Sequence, residues 1–452
     1  REFDAERVRG DVVAGAHTWR FARRRQKGCV PGSDRSADLA PTGKLDYRTV
    51  VRGNDLTVPA HVPTVTGNTS TDDAAEEAAT GDADASLSDR DVTRAVGTVL
   101  PDATVVDARP ADHGKNAVHF VTVEEPDRAE ARTVVLKVGT RFGGDAFLRE
   151  PALLSLVDER TSIPVPTVHG TDDGDVLGDP FFVAEAIPGE TAAFSPGDLA
   201  PAAFERVCHE AGRNLAALHD AFDVAGVGPL TPGDDGGPDA GIALDREFDD
   251  WPALFEAWLG QQVERLADTR FDDCVPALET FVERATERLS GALEPEAGFE
   301  PVVTHGDYRL GNLRVDAAAF DTDGRETTDE WGGGEPTCEW DGDVTNGVVD
   351  WETPIAATAE YELAVTEAIL VDWPWVDDER DWRLRERLYE GYRTVRDLPR
   401  DEAFEKRRRL YRVAGRVRLM RHVEEEMAGR AASAVDDRAA EHRTFLADAG
   451  VL

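Results

Sequence analysis

Residues 301–352 read PVVTHGDYRLGNLRVD at 301–316, then an acidic, glycine-rich interruption, then NGVVDWE at 346–352. A short apolar run, Val302-Val303, delivers His305-Gly306-Asp307, and Asn312 follows five residues after Asp307. Leu313 to Val315 reads as a second strand, and Val348-Val349 as a third that delivers Asp350. Two carboxylates and one amide thus sit at strand ends beside glycines. Hard cations prefer such oxygen ligands, so the pattern suits Mg²⁺ and nucleotide phosphates. Taken singly, Asp307 fits a turn, Asn312 a left-handed turn position and Asp350 a helix cap. Their common order and spacing favour the functional reading.

Working outward, the 452 residues are enough for two domains or lobes with ample core. Lys+Arg 50 against Asp+Glu 90 gives a net charge of −40, and lysine occurs only at positions 27, 44, 115, 137 and 406. An acidic, Lys-poor composition of this kind is of the halophile type, in which salt screens the repulsion between surface carboxylates. Apolar residues make up 41 % and fall in periodic segments, which argues against a disordered acidic chain. The charge opposes non-specific binding to nucleic acid or anionic membrane. No apolar run has transmembrane length and no signal peptide is evident, so a cytoplasmic location is expected. The cysteines Cys29, Cys208, Cys274 and Cys338 show no CxxC spacing and are expected to be free thiols.

Residues 1–70 hold 12 basic and 8 acidic residues, a net of +4, and lack sustained periodicity. Residues 1–86 are therefore expected to be a disordered or spurious extension. From 87 to 187 the pattern predicts a small lobe with a five-stranded sheet and helix. Ser88 caps a helix with Val92, Ala95, Val96 and Val99 on one face. Strands follow at 117–123 and 133–138, the latter carrying Lys137, and a helix at 145–158 carries Glu150. Residues 188–452 read as a mainly helical lobe, with an insertion at 316–346. Phe204, Val207, Cys208, Ala211, Leu215 and Leu218 recur at helical spacing, and further helices are expected at 251–267, 275–289, 360–373, 382–395 and 401–427.

HGDYRLGN, with Asp307 and Asn312, resembles the HGDxxxxN catalytic loop of aminoglycoside phosphotransferase-like small-molecule kinases, and GVVDWE resembles their metal-binding segment. VVLKV resembles the strand bearing the nucleotide lysine, FFVAEAIPGE the interlobe connector, and LAALHDAF at 215–222 a helix end ahead of the catalytic loop. The resemblance covers roughly residues 90–445. It implies an α+β, bilobal protein-kinase-like fold with a small β-rich N-lobe and a larger, mainly helical C-lobe. It also implies transfer of the γ-phosphate of ATP (or GTP) to a hydroxyl of a small molecule, with Mg²⁺ between Asn312 and Asp350 and Asp307 as base.

The same resemblance assigns Lys137 to the phosphates with Glu150 as its ion-pair partner. It places the phosphate-covering loop at His113–Asn116, which brings in Lys115 and Asn116, and sets the backbone around Glu185 and Ile187 against adenine. His305 is expected to brace the loop, Trp351 to pack, and Arg309 either to meet the transferred phosphate or to offset acidic neighbours. Here the chain has one glycine in the phosphate loop, the long 316–346 insertion, and Glu362-Leu363-Ala364 where the family often has Asp-Leu-Ala. The rival reading is a kinase-like protein that binds nucleotide without catalysis.

Overall fold

The computed structural model describes residues 87–111, 116–139, 147–191, 199–233, 241–292, 300–320, 342–352, 354–372, 378–398, 400–427 and 430–452. The expected extension at 1–86, Lys115, and most of the 316–346 insertion lie outside the described residues. These divide into two compact units, one from the described residues of 87–148 and 168–186, the other from those of 149–167 and 187–452.

In the smaller unit α1 (Asp89–Val99) leads into β1 (Thr104–Pro110), β2 (Ala117–Glu124) and β3 (Arg132–Val138). Ser88 caps α1, its hydroxyl accepting the Asp91 N–H at 3.2 Å. The next helix, α2 (Arg149–Arg160), belongs to the larger unit, and the chain then returns for β4 (Val168–Asp172) and β5 (Phe181–Glu185). The five strands form one antiparallel sheet in the order β1-β2-β3-β5-β4. Alternation of apolar residues puts Val121, Val123, Val134, Leu136 and Val183 on the face that meets Val92, Ala95 and Val96 of α1. Each such side chain, fully withdrawn from water, contributes about 1.5–3 kcal/mol. Lys137 stands opposite Val118 and Phe182 in the register of β3, at the centre of this sheet.

The larger unit continues with α3 (Pro201–Ala221), β6 (Gly228–Pro232), β7 (Ile242–Leu244), α4 (Trp251–Glu264) and α5 (Val275–Ala292). Next come β8 (Val302–Thr304), β9 (Leu313–Val315), β10 (Thr345–Val348) and β11 (Ile355–Ala357). The helices α6 (Ala359–Thr366), α7 (Asp378–Arg393), α8 (Glu402–Arg421) and α9 (Ala432–Asp448) close the chain. β9 pairs with β10, and a second small sheet runs β7-β6-β11-β8. The core joins α4, α5, α6, α8 and α9 around Trp251, Phe255, Trp258, Tyr361 and Tyr411, whose rings meet edge to face.

The α+β division into a smaller β-rich unit and a larger, mainly helical one agrees with the protein-kinase-like fold expected from the sequence. Several helix boundaries differ; the helix expected at 382–395, for example, is Asp378–Arg393. The helix expected at 145–158 is Arg149–Arg160. The one expected at 360–373 starts at Ala359 under a Thr358 cap, then widens to a π-turn over Glu367–Val371. The one expected at 401–427 breaks at His422, whose φ and ψ leave the helical region. Among the described residues no helix is long and apolar enough to cross a membrane. Cys208 and Cys274 are buried thiols outside any disulfide.

Candidate active site

β8 ends at Thr304, and the next residues form a loop stitched together by its own polar groups. Gly306 takes a φ of +77°, a backbone conformation that costs a glycine little. The Asp307 N–H donates to His305 Nδ1 at 3.1 Å, and His305 Nε2 lies 3.1 Å from the Val349 carbonyl. Nδ1 is therefore the acceptor and Nε2–H the donor, which makes the ring neutral. Burial supports this by lowering the His305 pKa. The Trp351 ring packs on His305 at 4.5 Å between centroids, with its indole N–H donated to Val348 at 3.0 Å. His305 and Trp351 are thus braces of the loop in this structure.

Asn312 is buried and closes the loop, its Nδ2 donating to the Asp307 carbonyl at 2.9 Å. With the donor committed, its amide oxygen is the atom it can offer to a cation. From the other side, the Val349 N–H donates to the Asn312 carbonyl at 2.9 Å. That bond, with His305 to Val349, fastens the loop bearing Asp307 to the one bearing Asp350. Asp350 takes a φ of +68°, a left-handed conformation that costs a residue with a side chain about 1–2 kcal/mol. Such strain collects at functional positions. Among the described residues no group of three or more His, Cys, Asp or Glu is placed to hold a metal. An amide oxygen and one carboxylate fit Mg²⁺ bound largely through phosphate oxygens, because Mg²⁺ uses few protein ligands there.

Asp307 is clasped by two guanidiniums. Arg309 Nε donates to its two carboxylate oxygens at 3.1 and 3.2 Å, and Arg418, from α8, is paired with Oδ1. Burial acts to raise the Asp307 pKa, but Arg309 and Arg418 outweigh it and hold the carboxyl below its ordinary value. Arg418 also donates to the Gly306 carbonyl at 2.8 Å. The opposite edge of Gly306 is held by α6, where the Gly306 N–H donates to Glu362 Oε1 at 2.7 Å. Glu362 Oε2 is 2.7 Å from His219 Nε2, and His219 Nδ1 is 2.9 Å from the Tyr392 hydroxyl. Burial lowers the His219 pKa against the pull of Glu362, so the neutral ring donates to Glu362 and accepts from Tyr392.

Glu362 and Arg418 escaped the sequence reading. Glu362 stands in the segment noted only as a departure from Asp-Leu-Ala, and its longer side chain still reaches the loop. For Arg418 a signal existed: Arg407, Tyr411, Ala414 and Arg418 follow helical spacing on an inward stripe of α8. An arginine at such a position needs an acid to meet.

The remaining expected residues fall as follows. The connector is held to β9 by mutual backbone bonds between Glu190 and Val315 (2.9 and 2.8 Å). A Cβ on Gly347 would come within 2.2 Å of Ile187, so the glycine of GVVDWE makes room for the connector. Glu185 ends β5 and pairs in register with Val134. Asn116 is buried just before β2. Lys137 belongs to the smaller unit; Glu150, 3 % exposed, belongs to the larger. At the insertion's return, Glu210 of α3 accepts the Val344 and Thr345 N–H groups at 3.0 and 2.8 Å, and Arg213 pairs with Asp343 at 2.8 Å.

Residues 116–325 match the model of the phosphotransferase enzyme family (APH). The segment includes the HGDYRLGN loop, and the resemblance to aminoglycoside phosphotransferase-like kinases is borne out. No curated protein matches the chain. Among solved structures, the chain is similar to a Haemophilus somnus 129PT protein assigned as a fructosamine-3-kinase, with 14 % identity over 78 % of this chain and 96 % of that one (TM-score 0.48). It is also similar to a microcompartment-associated aminopropanol kinase, with 18 % identity over 78 % and 94 % (TM-score 0.45). A third is the spectinomycin phosphotransferase solved with ADP and spectinomycin, with 12 % identity over 79 % and 93 % (TM-score 0.44).

Proposed function

We propose that this phosphotransferase moves the γ-phosphate of ATP to a hydroxyl group of a small molecule. One observation carries the reading: the bonds His305 to Val349 and Val349 to Asn312 hold Asp307, Asn312 and Asp350 on a single braced framework. Phosphoryl transfer asks a protein mainly for such positioning and for charge neutralisation. Asp307 would orient the acceptor hydroxyl and take its proton. The acceptor oxygen would then bond to the γ-phosphorus while the bond to the β-phosphate bridging oxygen breaks, its electron pair leaving on ADP. Asn312 Oδ1 and the Asp350 carboxylate would hold Mg²⁺, which neutralises phosphate charge when bound.

Arg309, displaced from Asp307 by the arriving hydroxyl, would turn to the transferred phosphate. Lys137 would supply a further cation to the nucleotide phosphates with Glu150 as its partner, Asn116 and Lys115 would join them, and the backbone near Glu185 and Ile187 would receive the base.

The test is steady-state ATP turnover in high KCl with a panel of sugars, amino-alcohols and aminoglycosides. The expected outcome is acceptor-dependent ADP release that Asp307→Asn abolishes. Tight ATP binding with no turnover for any acceptor would favour the non-catalytic reading.

A further inference from the structure

We propose that Arg418 is a positioning residue for Asp307: it stays on the carboxylate throughout turnover, and the acceptor hydroxyl exchanges with Arg309 alone. The inference rests on the reading of Asp307 as the base. The two guanidiniums differ in their surroundings. The Arg418 side chain is 5 % exposed and that of Arg309 37 %. Arg418 is further tied by its 2.8 Å bond to the Gly306 carbonyl, and α8 is anchored by the Arg407 pair with Glu360 at 2.6 Å. Leaving Asp307 would strand a buried charge. Arg309 can turn into water at little cost.

The other groups facing Asp307 offer no substitute cation. His305, on the same loop, is neutral, and on α6 Glu362 is taken up by Gly306 and His219 while Tyr361 stays protonated through burial. Asp350, on the next loop, is an acid. Arg418 is therefore the one permanent cation at the carboxylate among the described residues. It holds the carboxylate in place with its reactive oxygen aimed outward.

Three readouts test this. Arg418→Gln is expected to lower kcat by about 10–100-fold while the KM values for ATP and acceptor stay within about twofold of wild type, because a loosened carboxylate costs orientation rather than binding. Arg418→Lys, which keeps a cation at the carboxylate, is expected to recover most of that kcat. Equal kcat losses in both variants, or a rise in KM with kcat kept, would reduce Arg418 to a structural role and overturn the proposal. Should neither variant melt cooperatively, the wild type decides: in a crystal structure with a non-hydrolysable ATP analogue and an acceptor, Arg418 is expected still on Asp307 with Arg309 turned away, and an Arg418 that has left the carboxylate overturns the idea. Asp307→Asn separates this failure from that of the underlying reading: full turnover in Asp307→Asn sinks the base itself, whereas an inactive Asp307→Asn beside an Arg418→Gln of wild-type kcat sinks only Arg418.

Discussion

Asp307 and Glu367 are both buried carboxylates clasped by arginines in the larger unit, yet their surroundings differ at one point. Glu367, fully enclosed in the π-turn after α6, receives Arg385 at 2.5 Å, Arg408 at 2.5 Å, Arg412 at 3.0 Å and the Tyr389 hydroxyl at 3.0 Å. Burial would raise its pKa, but the three guanidiniums outweigh burial and pull it to about 2. Asp307 has two guanidiniums, and one of them reaches solvent. A carboxylate with every partner locked in ties helices together. One with a replaceable partner can hand its oxygen to a substrate.

The comparison can be broken by experiment. Asp307→Asn is expected to lower kcat by about 10²–10⁴-fold, the usual worth of a positioned base, while costing less stability than any change at Glu367. Glu367→Ala removes the buried acid on which three guanidiniums converge, leaving Arg408 to Glu405 and Arg385 and Arg412 to Asp372. It is expected to cost about 3–5 kcal/mol, read from the denaturant midpoint in high KCl, while kcat per folded molecule is kept. A kcat loss without a stability loss in Glu367→Ala would erase the distinction.

Acid sharpens it further. The depressed pKa of Glu367 contributes stability that is present above the unfolded value near 4.3 and lost as pH falls toward 2. By pH 3 that contribution has dropped by about 2 kcal/mol. Melting curves at pH 5 and pH 3 are therefore expected to converge between wild type and Glu367→Ala by that amount. Glu362 lies between the two cases, since it is locked in place and yet touches the loop bearing Asp307. Glu362→Gln keeps one acceptor for the Gly306 N–H but loses the charge, an expected cost of about 1 kcal/mol in stability, with kcat falling alongside. Unchanged kcat there would show that Gly306 keeps its place without α6.

The candidate loop was legible because its chemistry is local. Asp307 and Asn312 lie five residues apart, and the turn that joins them is written in the same eight letters. The sheet was legible for a similar reason, since two-residue alternation along β2 and β3 needs no knowledge of the partner strand. Boundaries were less so. The π-turn at Glu367–Val371 has no periodicity of its own, and it forms where arginines from α7 and α8 converge on one glutamate.

Sequence alone determined the α+β class, the relation to phosphotransferases and the residues of HGDYRLGN and GVVDWE, because motif and periodicity are properties of neighbouring residues. Tertiary structure alone decided what holds them. Arg418 is 111 positions from Asp307, and Glu362 reaches Gly306 from 56 positions away. A buried charge finds its partner by packing rather than by spacing, and in a chain with 45 arginines and 90 acids no pattern of letters says which pairs will meet.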